Sequence, residues 1–489
     1  MPEKAQRVAV IGAGLGGLAL GLRLAARGRR VTLFEQDARP GGKMNRLQRD
    51  GFTFDTGPSL VTLPHVFAEL FEAAGLRIED HVELMPVRPF AAYRLADGTA
   101  FEHSADLPSW LATVRRLEDG PATGYLRFMD LAARLHEVSR HTFLAASPWE
   151  RPRPPPLRVL LRVPWRQGFG NYARVVERHL RSDALRRFLF RYPTYVGSSP
   201  WRTPSTLAVI PWIEHTFGAW HIRGGLYALV EAIARAGASL GMEVRTGARV
   251  TRILQEGGRA RGVELADGTR AEADVVVMNG DASTVPRLLD PDAPAGLPES
   301  ERSLSGFVLL LGLPRRVPGE AHHRVFFSAD YRREFDDLFE RRIFPDDPTV
   351  YVNLPARTDP SMAPPGGETV FVMANAPAND GDAWDAAAVE RATARVFARL
   401  RAGGFPDAAD AVVREAWTPR RIGETYGMPG GAIYGTHSHG YRRAFLRPPN
   451  RDRRLRGLYA VGGSTHPGGG TPTVLMSARI VQALIEARE

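Results

Sequence analysis

The segment Val8-Ala9-Val10-Ile11-Gly12-Ala13-Gly14-Leu15-Gly16-Gly17 decides the fold of this chain. It is an apolar run that favours a β-strand and ends in G-x-G-x-x-G, and the residues from Leu18 to Ala26 then favour a helix. A second apolar strand, Arg30 to Phe34, leads to Glu35. Because glycines allow a tight turn and let a pyrophosphate approach the helix N-terminus, this order predicts a βαβ unit that binds a dinucleotide.

The glycines of this unit and Glu35 have separate expected roles. Gly12 permits the turn, Gly14 lets the backbone approach the pyrophosphate, and Gly17 lets the helix pack closely on the strand. Glu35 follows at roughly the spacing, about 20 residues, at which an acidic side chain binds ribose hydroxyls. The residues predicted to contact the dinucleotide are Gly12, Gly14, Leu15, Gly16, Gly17, Glu35 and Gln36.

A second glycine-rich loop, Arg39-Pro40-Gly41-Gly42-Lys43, follows Glu35, and the turn Asp55-Thr56-Gly57-Pro58-Ser59 comes next. This combination resembles the flavoprotein amine oxidase and carotenoid desaturase superfamily. A second loop and a cation suit FAD, which needs more backbone around it than NAD does. Lys43 is one of only two lysines in the chain, and we expect it near the FAD phosphates. The FAD contacts expected here are Gly41, Gly42, Lys43, Gly57, Pro58 and Ser59.

The C-terminal region contains a third element of this kind. Residues 456–464 favour a short strand that ends at glycines, residues 466–473 a loop, and residues 474–487 a helix, for which Thr471 is the expected N-cap with Pro472 at the first helical position. The N-terminus of that helix would direct its partial positive charge at a flavin ring. The version VGGSTHPGGGTP is similar to the bacterial phytoene desaturase family. The resemblance implies FAD contacts by Gly462, Gly463, Gly470, Thr471, Pro472 and Thr473, and by the backbone of Val250.

Two segments in the middle of the chain allow a more specific prediction of the activity. Residues 197–207 and 218–225 are similar to the substrate-domain stretch of the bacterial carotenoid desaturases. The C-terminal variant, with Gly463 and Thr473, resembles the hydroxycarotenoid 3,4-desaturases more than the phytoene desaturases. The resemblance implies 3,4-desaturation of a 1-hydroxycarotenoid, and such an enzyme needs a buried hydrogen-bond partner for the hydroxyl in its tunnel. The alternatives are a phytoene desaturase, a carotenoid oxygenase or ketolase of the same fold, an FAD-dependent amine oxidase, and a non-enzymatic FAD-binding protein.

The expected fold class is α/β, with a Rossmann-type FAD-binding domain of the flavoprotein amine oxidase kind and an inserted α+β substrate domain. Residues 1–65, 226–290 and 451–489 are predicted to form the FAD-binding domain, since the cofactor motifs must converge in space. Residues 66–225 and 291–450 are predicted to form the substrate domain. The chain has 489 residues, enough for a large core.

Composition excludes several other classes of protein. The absence of cysteine rules out disulfides, thiol catalysis and a cysteinyl flavin. The net charge of +10 is dispersed, so we expect no nucleic-acid partner. The N-terminus does not have the pattern of a signal peptide, and no apolar run is long enough to span a membrane.

One stretch nevertheless favours a lipid surface. Residues 151–156 are rich in arginine and proline, and residues 157–166 alternate arginine with aliphatic side chains and a tryptophan. This composition suits the headgroup region of an anionic membrane. We expect a cytoplasmic protein, peripheral on the inner face of the cell membrane, with a lipophilic carotenoid as its substrate.

No metal-binding, serine-hydrolase or P-loop motif occurs, so FAD is expected to supply the redox chemistry. Desaturation of a polyene removes a hydride and a neighbouring proton, and delocalised positive charge in the polyene lessens the need for a strong base. The sequence assigns no catalytic base; the candidates near the flavin ring are His466, Thr465, His221 and Arg223, with Glu214 and His215. The pairs His322–His323 and His437–His439 are interpreted as turn residues. Either oxygen or a quinone is expected as electron acceptor.

Aromatic residues are concentrated between Tyr192 and Trp220. Aromatic side chains suit the wall of a long apolar tunnel for a rigid conjugated chain, although each of them could equally belong to the core. The predicted substrate contacts are Tyr195, Trp201, Trp212, Phe217 and Trp220.

Overall fold

The computed structural model describes residues 5–150, 156–161, 170–294, 296–379, 384–406 and 408–489. The helices in these ranges are α1 Leu15–Ala25, α2 Pro64–Glu72, α3 Leu107–Glu118, α4 Thr123–His141, α5 Leu157–Leu160, α6 Tyr172–His179, α7 Asp183–Phe190, α8 Val209–Phe217, α9 Tyr227–Ser239, α10 Val285–Leu289, α11 Tyr331–Asp336, α12 Ala386–Ala402, α13 Pro419–Tyr426, α14 Gly440–Phe445 and α15 Thr471–Glu486.

The strands in the same ranges are β1 Arg7–Ile11, β2 Arg30–Phe34, β3 Arg46–Arg49, β4 Phe52–Asp55, β5 Leu84–Pro86, β6 Ala91–Arg94, β7 Ala100–His103, β8 Trp220–Ile222, β9 Glu243–Arg245, β10 Val250–Glu256, β11 Arg259–Leu265, β12 Arg270–Glu272, β13 Val275–Met278, β14 Ser305–Leu313, β15 His323–Phe326, β16 Val350–Asn353, β17 Glu368–Ala376, β18 Val413–Trp417 and β19 Leu458–Ala460.

A five-stranded parallel sheet is built from both ends and the middle of the chain, in the order β19-β13-β1-β2-β9. Val8 of the central strand lies opposite Val31 on one side and Val275 on the other. Strand β13, Val-Val-Val-Met, is fully buried, as a strand covered on both faces must be. Helices α1, α9 and α15 share one apolar core with this sheet. This arrangement confirms the predicted Rossmann-type fold.

A three-stranded antiparallel meander, β10-β11-β12, connects β9 to β13. Its first hairpin turns at Gly257 and Gly258, whose φ angles of +56° and +69° are those that a two-residue turn needs. Val250, the first residue of β10, is buried.

The second sheet is a seven-stranded mixed sheet in the order β18-β14-β17-β16-β15-β6-β7. Its long strand β14, Ser305–Leu313, is the apolar run noted in the sequence, and it is buried along its whole length between β17 and β18. Helices α3, α4, α6 and α7 pack into a separate core beside β6 and β15. The predicted combination of a Rossmann-type unit with an α+β unit is therefore confirmed, whereas the exact domain boundaries stay a prediction.

The C-terminal helix begins earlier than the sequence predicted. Gly470, with a φ of +122°, precedes the first helical residue, so Thr471 lies inside the helix and does not cap it. The side chain of Thr473 donates to the carbonyl of Gly470 at 2.9 Å. Glycine takes the cap position because the loop must turn sharply through a left-handed backbone conformation there.

The stretch predicted to dock on a membrane lies mostly outside the described residues, which in this region are 156–161. Within them, Leu157 and Leu161 are 71% and 78% exposed. Among the helices described here, none combines the length and the apolar character that crossing a bilayer requires.

Candidate active site

A cavity of about 820 Å³ is lined by both sheets. Ile11, Phe34 and Met278, at the carboxyl ends of neighbouring parallel strands, form part of one wall, and Tyr351 and Phe371 of the second sheet form part of another. Ligands of open α/β sheets bind outside the carboxyl ends of the strands, so the position is that of a cofactor site. The volume lies at the upper end of the range for small-molecule pockets, about 300–1,000 Å³.

The first glycine loop is held against the end of β13 by Asn279. The Asn279 side-chain amide donates to the carbonyl oxygens of Gly12 at 2.9 Å and Gly14 at 3.4 Å. A Cβ atom on Gly14 would lie 3.2 Å from this amide nitrogen, and one on Gly16 would lie 2.7 Å from its oxygen. Helix α1 has no side-chain cap, so its first N–H groups are available to a phosphate.

Gly17 is the one predicted cofactor contact that does not line the cavity. A Cβ atom there would lie 2.5 Å from the carbonyl oxygen of Gly12, a backbone atom that cannot move independently of the loop. Gly17 thus has the packing role predicted for it, between helix and strand.

Glu35 fastens the glycine loop to the end of β2. One carboxylate oxygen accepts from the backbone N–H of Ala13 at 2.8 Å, and the other accepts from that of Asp37 at 3.1 Å. Burial raises the pKa of the Glu35 carboxyl above its usual value, and these two hydrogen bonds oppose the shift. The carboxylate lines the cavity and keeps lone pairs for ribose hydroxyls.

The second glycine loop brings a buried cation to the same cavity. Lys43 donates from Nζ to the carbonyl oxygen of Ile433 at 2.6 Å. Burial lowers the pKa of Lys43 to about 8, and attraction from Asp281 opposes this shift. Asp281 itself has one buried carboxylate oxygen without a hydrogen-bond partner in the described part of the chain. An unpaired acceptor beside a cation suits a ligand that carries both hydroxyls and phosphates.

The C-terminal loop lies against the first glycine loop, since a Cβ atom on Gly16 would lie 3.2 Å from the Cα atom of Gly462. It completes the glycine-rich loops around the cavity, which we call the glycine cradle. Helix α15, like α1, has no side-chain cap, and its first residues line the cavity. Arg447 reaches the same region and donates to the carbonyl of Tyr434 at 3.1 Å and to the hydroxyl of Ser438 at 3.1 Å. Two helix N-termini and two cations therefore face one cavity, which favours an anionic ligand.

The structure brings the predicted cofactor residues together from all parts of the sequence. Those that line the cavity are Gly12, Gly14, Leu15, Gly16, Glu35, Gln36, Gly41, Gly42, Lys43, Gly57, Pro58, Ser59, Val250, Gly462, Gly463, Gly470, Thr471, Pro472 and Thr473.

The other end of the cavity is apolar, with one polar cluster made by Arg191, Tyr192, Tyr195 and Glu214. Glu214 accepts from the Arg191 guanidinium at 3.0 Å, from the Tyr192 hydroxyl at 2.5 Å and from the Tyr195 hydroxyl at 3.0 Å. Burial raises the pKa of Glu214, and attraction from Arg191 opposes part of the shift. Arg191, Tyr195 and Glu214 line the cavity, and the buried Nε of Arg191 has no hydrogen-bond partner among the described residues.

Of the predicted substrate contacts, only Tyr195 lines this cavity. Trp201 packs on Phe190 and Phe335 in the core beside the second sheet, and Trp212 belongs to the same core. Phe217 and Trp220 pack against the core of the first sheet. The prediction is not supported for these four, because aromatic side chains fill a core as readily as they line a tunnel. Aliphatic residues line much of the wall, including Leu60, Leu207, Ile210, Ile213 and Val308.

The candidates for catalysis likewise lie outside the cavity lining. His466 bonds from Nε2 to the carbonyl of Ala146 at 3.1 Å, and Thr465 donates to the carbonyl of Pro448 at 2.7 Å. Arg223 is 52% exposed and pairs with Glu83. His221 is buried on β8. Glu214, named only as a secondary candidate, does line the cavity.

Sequence reasoning missed Asn279, Asp281, Arg447, Arg191 and Tyr351. A polar signal existed for Asn279 and Asp281, since both follow directly after the apolar strand β13, where the carboxyl end of a parallel strand faces a ligand. Arg191, Tyr351 and Arg447 lie in segments without a motif, so only the folded chain identifies them. His323 is buried as the first residue of β15, so the prediction that it lies in a turn is wrong for this residue, whereas the buried His322 lies in the bend just before the strand.

The parallel sheet, the glycine cradle and the anion-binding helix ends define an oxidoreductase with FAD as its cofactor. The sequence profile of the flavin containing amine oxidoreductase family matches residues 15–484. The chain belongs to this family, and within it to the bacterial carotenoid desaturases.

Individual relatives have several specificities. The chain is 37% identical to the zeta-carotene-forming phytoene desaturase of Myxococcus xanthus, over 97% of this chain and 93% of that protein. It is 35% identical to the 4,4'-diapolycopene oxygenase of a Methylomonas species, over 99% and 98% of the two chains. It is 31% identical to the 1-hydroxycarotenoid 3,4-desaturase of Flavobacterium sp. (strain P99-3), over 98% and 99%.

One solved structure has a fold similar to that of this chain. An oxidoreductase from Methanosarcina mazei superposes with a TM-score of 0.64 at 18% identity, covering 98% of this chain and 100% of that one. This likeness concerns the fold alone.

Proposed function

We propose that this protein is an FAD-dependent carotenoid desaturase that acts on a CH–CH bond, and that its substrate is a 1-hydroxycarotenoid desaturated at the 3,4-position. The observation that carries the proposal is the polar cluster of Arg191, Tyr192, Tyr195 and Glu214, three members of which line a mostly apolar part of the cavity. A pure hydrocarbon has no use for such a cluster, whereas a hydroxyl at the end of a polyene would find in it both a donor and acceptors.

The residues proposed to hold FAD are those of the glycine cradle. The N–H groups at the starts of α1 and α15 would bind the diphosphate and the flavin region, and Glu35 would accept from ribose hydroxyls. Lys43 and Arg447 supply positive charge, and the unpaired oxygen of Asp281 supplies an acceptor. The chemistry of these donors fits FAD. When bound, FAD supplies the acceptor for the hydride that leaves the polyene.

The protein itself contributes orientation and the exclusion of water. Aliphatic side chains of α8, among them Ile210 and Ile213, would hold the conjugated chain in a dry channel. Tyr195, whose side chain lines the cavity and whose hydroxyl belongs to the cluster, would bind the substrate hydroxyl, so the polar cluster would fix how far the polyene slides into the channel. That register decides which CH–CH bond reacts.

Expression in two heterologous hosts tests the proposal, one accumulating phytoene and the other a 1-hydroxylated derivative of lycopene. We expect a red-shifted pigment that lacks two hydrogens, by absorption and mass, in the hydroxylated host only. Loss of hydrogen from phytoene alone would replace the proposed substrate by phytoene. A gain of oxygen would assign the protein to the oxygenases.

The second candidate is a phytoene desaturase, and the 37% identity to an enzyme of that name supports it. In that case the polar cluster would only stabilise the core, because Glu214 would neutralise the charge of Arg191, and the cluster would not recognise the substrate. The two candidates differ in one measurable respect, which is whether removal of the Tyr195 hydroxyl changes the preference between oxygenated and hydrocarbon polyenes.

We also propose that the enzyme works at an anionic lipid surface on the cytoplasmic side of the membrane and passes electrons to oxygen or to a quinone. The supporting observations are the water-insoluble substrate class and the exposed side chains of Leu157 and Leu161. The neighbouring basic residues of the sequence would add attraction to anionic headgroups.

A further inference from the structure

Three buried histidines lie beside the second sheet, at a site that the proposed function does not use. His221, His322 and His323 are each at most 2% exposed. Both ring nitrogens of His221 and the Nε2 atoms of His322 and His323 have no hydrogen-bond partner among the described residues. A buried polar group left unpaired destabilises the folded protein, so several in one place indicate a role other than stability.

One end of this histidine group contacts the main cavity. Ser59 and Tyr351 line the cavity, and their hydroxyl oxygens are 2.6 Å apart. The Tyr351 hydroxyl lies 2.7 Å from Nδ1 of His323, and the Asn353 amide donates to the same Nδ1 at 3.3 Å. Since Nδ1 accepts, the neutral ring of His323 carries its proton on Nε2. Ser59 belongs to the turn proposed to contact FAD.

The other end reaches the surface. Nδ1 of His322 is 2.7 Å from the hydroxyl of Thr358. Thr358, together with Glu83 and Arg357, lines an open cleft of about 330 Å³ that is separate from the main cavity. The rings of His322 and His323 are adjacent, with centroids 4.4 Å apart. The Nε2 atoms of both rings are buried and have no hydrogen-bond partner among the described residues, so they are the groups at which the proton would cross from one ring to the other.

We propose that Tyr351, His323, His322 and Thr358 form a proton relay that carries the proton released during desaturation from the main cavity to the surface cleft. The inference rests on the proposed function, because only a reaction that releases a proton in the cavity needs such a path. His323, His322 and Thr358 are positioning residues, because the proton reaches them only after it has left the polyene, whereas Tyr351 lines the cavity and takes up the proton there.

The relay gives the proton that the reaction releases a path out of the cavity. Of the two hydrogens lost from neighbouring carbons, one would leave as hydride with its electron pair, for which bound FAD would be the acceptor. The other leaves as a proton, and the electron pair of its C–H bond becomes the new π bond. The proton enters at the Ser59–Tyr351 pair, passes to Nδ1 of His323 while Nε2 gives up its own proton, and crosses His322 to Thr358. Oxygen or a quinone later accepts the two electrons from the reduced cofactor.

The lowered pKa values of the histidines favour passing a proton on over holding it. Burial lowers the pKa of His323 to about 3, and repulsion from Arg191 adds to this shift. Burial also lowers the pKa of His221 to about 4, although Asp359, whose carboxylate is 3.9 Å away, opposes it. His322 is shifted in the same direction by burial and by its two histidine neighbours, so its pKa is also low. Neutral rings pass a proton by exchanging tautomers and do not retain it.

Single-turnover reduction of the FAD-loaded protein by the polyene, without oxygen, tests the relay. We expect Thr358→Val to slow flavin reduction about ten-fold, while Thr358→Ser, which keeps the hydroxyl, leaves the rate within two-fold. His322→Ala should be slow as well and should be partly restored by added imidazole. His437→Ala, a buried histidine outside the relay, should keep the wild-type rate. A wild-type rate in Thr358→Val would overturn the proposal.

Hydrogen exchange gives a second readout that needs no substrate. With ¹⁵N-labelled histidine, NMR should show that the Nε2 proton of His323 exchanges with deuterated water within minutes, and that Thr358→Val slows this exchange at an unchanged melting temperature. Protection of that proton for hours in the wild-type protein would contradict the relay. If no polyene reduces the wild-type flavin, the proposed desaturase function fails, and the exchange result still decides whether the proton path exists.

Discussion

At the scale of single residues, Tyr195 best separates recognition of substrate from support of the core. Its hydroxyl and that of Tyr192 both donate to Glu214, but only Tyr195 lines the cavity. Both tyrosines therefore donate to the same carboxylate, one beside the proposed substrate and one behind it, and the Tyr195 hydroxyl in addition accepts from the Arg191 guanidinium.

We predict that Tyr195→Phe lowers kcat/KM for the hydroxylated polyene about five- to ten-fold, the effect of losing one hydrogen bond of about 1 kcal/mol. Activity on a hydrocarbon polyene should not fall. Tyr192→Phe should lower stability slightly and leave the ratio of the two activities unchanged. Equal changes of that ratio in both variants would show that the cluster supports the core only.

We predict that Lys43 makes the affinity for FAD depend on pH. Burial lowers its pKa to about 8, so the apoprotein carries this charge below that pH and loses it above. If FAD binds the charged form, the dissociation constant should rise about ten-fold between pH 7 and pH 9, as measured by quenching of flavin fluorescence. Lys43→Arg stays charged over this range and should give a flat profile. An equal rise in that variant would assign the pH dependence to another group.

At the scale of elements, the contact between α1 and β1 depends on the absence of a side chain. A methyl group on Gly17 would meet the carbonyl oxygen of Gly12 at 2.5 Å, whereas one on Gly120 would have its nearest neighbour at 3.9 Å. The helix therefore cannot keep its position on the strand once Gly17 is replaced.

We predict that Gly17→Ala destabilises the protein by about 1–3 kcal/mol, the usual cost of overpacking, and lowers the FAD content of the purified protein. Gly120→Ala is the control, and it should be neutral or slightly stabilising. Chemical denaturation and flavin absorbance measure the two effects. A Gly17→Ala protein as stable and as yellow as the wild type would contradict the packing role.

Some of the elements of this structure could be predicted from the sequence and others could not. The βαβ unit, the Gly257–Gly258 hairpin and the C-terminal strand–loop–helix were predictable because each depends on local glycine positions and apolar periodicity. The placement of the aromatic residues between Tyr192 and Trp220 was not predictable. An aromatic side chain can fill a core or line a cavity equally well, and only packing between distant segments of the chain decides which of the two occurs. The buried cluster around Glu214 and the histidine relay depend on segments far apart in the chain, for which no local signal exists.

At the scale of the whole molecule, the cofactor cradle is assembled from the start, middle and end of the chain, whereas the apolar end of the cavity uses the second sheet and the helices beside it. We propose that a carotenoid enters this cavity from lipid. The exposed residues Leu157 and Leu161 are where we place that lipid contact.

We predict that the double variant Leu157→Asp/Leu161→Asp loses most of its binding to vesicles that contain anionic phosphatidylglycerol, measured by co-sedimentation. Apolar contact and headgroup attraction both weaken when aspartate replaces leucine. Val412, 61% exposed at a distant point of the sequence, provides the control, and Val412→Asp should bind as the wild type does. Unchanged binding by the double variant would place the contact elsewhere.

The most direct test of the account is an anaerobic titration of the FAD-loaded protein with the 1-hydroxylated polyene. The account predicts that the oxidised flavin absorbance disappears while one polyene per flavin loses two hydrogens, since desaturation needs no oxygen atom. An oxidised flavin and an unchanged polyene, followed by an oxygenated product once air is admitted, would contradict it.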